Sequence, residues 1–136
     1  MVAGMTLLVV TRYVVDDPAG GESFRLRARD ALEALAAQPG CRRGHVARAL
    51  DDPRRWVVQT EWDSVGSYRR ALSAYDVKVR AVPLMYEQVD EETAYESLVA
   101  AGSEGLTDSR SDLASGASSA TPRRAQDGAQ PGGADR

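Results

Sequence analysis

Arg55 to Leu72 reads RWVVQTEWDSVGSYRRAL. Its first half is an apolar, β-branched run with a tryptophan near each end, and the side-chain period of a strand is two residues. Trp56, Val58, Thr60 and Trp62 therefore point one way, and Val57 and Gln59 the other. Asp63 and Ser64 then supply the residue types that cap a helix. Tyr68 and Leu72 follow at helical spacing, so a helix from about Val65 to Leu72 folds back over the face that carries Trp62. This is a strand, a tight corner and a returning helix, with two large rings brought to one place. Whether that place is packed core or a pocket is the functional question the sequence poses.

Working outward, Asp51-Asp52-Pro53-Arg54 before this stretch has turn chemistry. Cys41 to Leu50 alternates weakly, with Gly44, Val46 and Arg48 on one face and His45 and Ala47 on the other. The two runs read as a hairpin. Upstream, Phe24, Ala28, Ala31, Leu32 and Leu35 recur at helical spacing from about Glu22 to Ala37, stopped by Gln38-Pro39-Gly40. Met5 to Val15 is β-branched and apolar on both faces, which predicts a central strand. Downstream, Tyr75 to Val79 adds a further turn before Pro83, and Met85 to Tyr95 is expected to be the fourth strand, carrying Tyr86. The order strand, helix, strand, strand, helix, strand is the split βαβ, ferredoxin-like arrangement, an α+β fold with a four-stranded antiparallel-type sheet. Right-handed crossovers place both helices on one face. The bare face, with Val57, Gln59 and residues of the first strand, is too apolar to stand open, and a homodimer joined through it is expected.

The domain is expected to occupy residues 1–100. Beyond about Ala101 the chain turns to Gly, Ser, Ala, Asp, Arg and Pro, and residues 101–136 are expected to form a disordered tail. The net charge of -3 is mild, and Lys78 is the sole lysine among 17 basic residues. No basic stripe points to nucleic acid. The apolar start, broken by Arg12, is too short to span a membrane, and it has neither a positive flank nor a cleavage pattern. The single Cys41 excludes an internal disulfide and suits a reducing cytoplasm. Gly20-Gly21 lacks the context of a phosphate loop, no His or carboxylate cluster has metal-ligand spacing, and one histidine cannot anchor a Ser-His-acid set.

The first strand, the helix ended by Pro39-Gly40, the Asp51-Asp52-Pro53-Arg54-Arg55-Trp56 turn and the Glu61-Trp62-Asp63 corner leading to Tyr68-Arg69 together resemble the antibiotic biosynthesis monooxygenase (ABM) family. The resemblance runs from about Leu7 to Leu98. It implies a dimeric α/β barrel and a functionally mixed set of relatives: cofactor-free oxygenases of polycyclic phenols, haem-degrading enzymes, and domains without an established reaction. Haem-degrading members carry their iron-binding histidine ten residues past the strand-ending tryptophan. That position is Leu72, which cannot bind iron, and a haem reading would have to take its ligand from His45. Quinone-forming members pair the tryptophan with a tyrosine six residues on, matched by Trp62 and Tyr68. They also place an asparagine where this chain has Val58, and Thr60 is the polar residue on the corresponding face.

The resemblance thus implies a monooxygenase, an oxidoreductase that uses molecular oxygen and no cofactor on a small aromatic or polyketide-like substrate. Trp62 and Tyr68 would orient that substrate, with His45 or Tyr86 as the proton acceptor. Trp56, Val58, Thr60 and Leu72 would line the space. Against this stands a non-catalytic ligand-binding or accessory domain in which the same aromatics are core. A sealed Trp62–Tyr68 contact, with no void for a ring system, favours the second.

Overall fold

The structure, a computed structural model, describes residues 6–111. In chain order it runs β1 (Thr6–Val14), a short 3-10 turn (Pro18–Gly20), α1 (Gly21–Ala36), β2 (Cys41–Arg48), β3 (Arg55–Trp62), α2 (Val65–Ser73), α3 (Tyr75–Arg80), α4 (Val82–Met85), β4 (Ala94–Ser97), β5 (Val99–Gly102) and β6 (Gly105–Asp108). The main sheet has the order β2-β3-β1-β4 with every pair antiparallel. This is the ferredoxin-like α+β arrangement, with β1 and β3 central and β2 at an edge.

Strict alternation along β1 and β3 sends Leu7, Val9, Thr11 and Tyr13, and Trp56, Val58, Thr60 and Trp62, into the layer under the helices, where all eight are buried. Phe24, Ala28, Ala31, Ala34 and Leu35 of α1 meet them. The small alanines let the helix lie close to the sheet, while the aromatics fill the space at its ends. Arg80 clamps α3 to α1 through Asp30 and Glu33 at 2.6 and 2.5 Å, and Arg27 joins Glu87 at 2.8 Å. Such exposed pairs set register more than they add stability. On the other face of the sheet Leu8, Val10, Val57 and Gln59 remain half-buried, and no described helix covers them.

Two expectations need correction. The fourth strand does not run from Met85 to Tyr95; it is Ala94–Ser97, and Met85 ends α4. The turn expected over Tyr75 to Val79 is α3, and Pro83 sits in the first turn of α4, where a missing N–H costs nothing. The boundary at 101 also falls inside an element, since β5 and β6 pair as a hairpin across it, with Gly105 at φ +102°. Its residues are all exposed, so a composition argument about burial could not detect it. The rest of the expected tail, 112–136, lies outside the described residues.

Candidate functional site

β3 carries its inner row to Trp62, and the chain then turns within two residues. The Ser64 hydroxyl accepts the Ser67 N–H at 3.0 Å, capping α2, and Ser67 Oγ donates to Asp63 Oδ1 at 2.6 Å. Gly40, at the end of the α1–β2 turn, packs against this corner, and its carbonyl accepts the Asp63 N–H at 2.9 Å. The corner fixes the direction of α2, which brings the Tyr68 ring to 5.4 Å from that of Trp62, tilted by 53°. Trp62 Nε1 donates to Thr60 Oγ1 at 2.8 Å, so the indole is held from its edge as well as its face. Leu72, one turn on, is half-buried against the same cluster.

Trp62, Tyr68, Thr60, Val58 and Trp56 thus share the helix-facing layer, as their spacing predicts. Trp62 and Tyr68 are both 0 % exposed, so in this conformation they touch each other rather than a ring-sized space. Two hollows flank the start of α1 instead. One, of about 260 Å³, is lined by Gly21, Glu22, Arg25, Val46, Arg48 and Trp56. The other, of about 270 Å³, lies beside Tyr13, Phe24, Arg27 and Glu87. Neither is lined by Trp62 or Tyr68.

The two proton-acceptor candidates do not join the pair. His45 is exposed on the edge strand β2 opposite Gln59, on the sheet face turned away from the helices. Tyr86 caps α4 and is 49 % exposed, because the strand expected to carry it begins only at Ala94. Cys41 pairs with Trp62 across the sheet, but burial pushes its thiol pKa up, which opposes thiolate formation. Among the described residues no group of three His, Cys, Asp or Glu side chains is placed to hold a metal ion.

The sequence reading gave no role to Arg48. Its guanidinium lies over the Trp56 ring, 5.3 Å from the centroid. The alternation of β2 did put Arg48 on the helix side, which was the available signal.

Residues 6–79 match the family model described as antibiotic biosynthesis monooxygenase, more than half of the chain. The protein belongs to that family. Among solved structures, a variant of SnoaB, a cofactor-independent oxygenase from Streptomyces nogalater, is 25 % identical, with a TM-score of 0.50 over 79 % of this chain and 96 % of that one. A conserved protein from Methanosarcina mazei Go1 is 24 % identical, with a TM-score of 0.56 over 68 % and 93 %. Rv0793 from Mycobacterium tuberculosis shares the fold at 13 % identity, with a TM-score of 0.52 over 68 % and 92 %. No curated protein matches the sequence.

Proposed function

We propose that this domain is a cofactor-independent monooxygenase acting on a small aromatic, polyketide-like molecule in secondary metabolism. The observation that carries the reading is the Trp62–Tyr68 pair, set under α2 by a capped corner in a chain of this family. The likeness to SnoaB supports it. In this chemistry an electron-rich CH₂ between aromatic rings loses a proton, and the resulting carbanion reduces O₂ and combines with it. The hydroperoxide then eliminates water to leave a carbonyl. One oxygen atom enters the product, the other leaves as water, and the substrate supplies all the electrons. The protein contributes a dry space, an orientation and a proton acceptor. Trp62 stacks on the substrate and Tyr68 hydrogen-bonds its phenolic oxygen. Because both rings are fully buried, the substrate gains access only when α2 lifts Tyr68 from Trp62. The acceptor is not assigned to His45 or Tyr86, which lie apart from the pair. The domain acts as a two-fold dimer, and its free Cys41 suits the reducing cytoplasm.

A second reading, a non-catalytic ligand-binding or accessory domain, is favoured by the closed Trp62–Tyr68 contact itself. Oxygen uptake with an anthrone separates the two. The oxygenase consumes one O₂ per anthrone above the uncatalysed rate, and Tyr68→Phe lowers kcat by about tenfold or more, the value of one oriented hydrogen bond in the transition state. Equal rates for parent and variant remove Tyr68 from the chemistry. No uptake above the buffer rate leaves the non-catalytic domain.

A further inference from the structure

The core does not account for the β5–β6 hairpin. Every residue of its two strands is exposed, Val99 at 58 % and Leu106 at 74 %. Its register sets Val99 against Asp108 and Ala101 against Leu106. Directly opposed residues share a face, so Val99, Ala101 and Leu106 make one side of the ribbon apolar. A two-stranded ribbon is marginally stable in water unless something packs on it. Exposed apolar side chains also lead to it from the bare face of the main sheet, through Tyr95, which stands opposite Leu8, and Leu98, which joins β4 to β5.

Charge indicates what covers the ribbon. Residues 99–108 carry Glu104 and Asp108 and no basic residue, whereas β2 carries Arg42, Arg43 and Arg48 and no acidic one. Glu61 pairs with Arg43 at 3.2 Å and offsets one of these charges, which leaves two positive against two negative. β2 is also an edge strand, with a row of backbone N–H and C=O groups that no described strand takes up. The hairpin cannot reach its own β2. The sheet order β2-β3-β1-β4 puts it at the opposite edge, about 14 Å away over three strand spacings. A second copy removes the obstacle. Rotation about an axis that runs along the strands, between two sheets packed by their bare faces, turns that order end for end and sets β4 of each copy beside β2 of the other.

We propose that the β5–β6 hairpin is an arm that each copy of this chain lays on the other. Its apolar side closes the seam between the two sheets, and its Glu104 and Asp108 carboxylates meet Arg42 of the partner subunit and Arg43 of the partner subunit on the free edge of β2. The arm rests on the two-fold dimer and not on oxygenation.

Two charge-reversed forms of the full chain test it by sedimentation over a dilution series. One is the arm variant Glu104→Arg with Asp108→Arg, the other the strand variant Arg42→Glu with Arg43→Glu. All four side chains are exposed, so both forms should keep the circular dichroism spectrum of the parent. Alone, each sets like charges against like across the contact, and its dimer should dissociate about tenfold more readily or worse. Mixed one to one, they should form a heterodimer of about parental affinity, because both arms then meet an edge of opposite sign. Native mass spectrometry identifies that heterodimer by its mass. Leu106→Asp, at a side chain with little contact in its own chain, should weaken the dimer likewise. An arm variant or Leu106→Asp that dimerises as the parent does overturns the arm and leaves the sheet-face dimer standing. A mixture no tighter than its two components overturns the seat on β2, and a parent of single-chain mass overturns arm and dimer together.

Discussion

Tyr13 lies beneath the start of α1, 3 % exposed, with its ring 5.1 Å from that of Phe24 and its hydroxyl donating to Thr11 Oγ1 at 2.9 Å. Burial, which disfavours the phenolate, pushes its pKa up to about 12, with the nearby Glu87 carboxylate adding to the rise. The direction sets a pH window. Below pH 10, the ordinary tyrosine value, folded and unfolded chains both keep the proton and Tyr13 contributes no pH dependence. Between 10 and about 12 the unfolded chain releases it and the folded one does not, so stability is lost as pH rises. The loss should reach about 2–3 kcal/mol at the top of the window. Urea unfolding across this range, compared between the parent and Tyr13→Phe, should show the excess slope in the parent alone; parallel curves would refute the assignment.

At the scale of elements, the corner between β3 and α2 decides what Tyr68 touches, and a residue from another part of the chain holds that corner. Gly40 has φ +94°, and a Cβ there would stand 2.5 Å from Ser67 Cβ and Oγ and 2.8 Å from Asp63 Oδ1. Gly40→Ala should therefore add a left-handed backbone penalty to a packing clash, together about 2 to 5 kcal/mol, seen as a lower denaturant midpoint at unchanged m-value. An unchanged midpoint would mean that the corner yields without cost. The Pro39-Gly40 stop after α1 was readable from sequence because it rests on local backbone chemistry. The packing of Gly40 on Ser67 was not, because it joins positions distant in the chain. The same division explains α4 and Tyr86. A proline marks a break, but whether the break falls before a helix or in its first turn depends on what Leu84 and Met85 pack against, and both are buried in the core.

At the scale of the molecule, one face of the main sheet has no described helix over it. Leu8, Val10 and Val57 form an apolar strip there, bordered by Arg12, Gln59 and an Arg43–Glu61 ion pair at 3.2 Å. Water around such a strip costs free energy that packing against a second copy would release. Light scattering at micromolar concentration should give twice the chain mass, and Val10→Glu, which sets a carboxylate between Leu8 and Arg12 and opposite Gln59, should give the single-chain mass with the fold retained. A parent protein of single-chain mass would end the dimer proposal.

The order of the main strands and helices and the parity of β3 were determined by sequence alone, because alternation, helical spacing and turn chemistry act over a few residues. The grouping of Trp56, Val58, Thr60 and Trp62 on one face followed from that parity. Tertiary structure decided whether Trp62 and Tyr68 seal against each other, where His45 and Tyr86 come to lie, and which indole N–H finds an acceptor. Those outcomes depend on ångström-scale fits between segments far apart in the chain, and no local pattern records them.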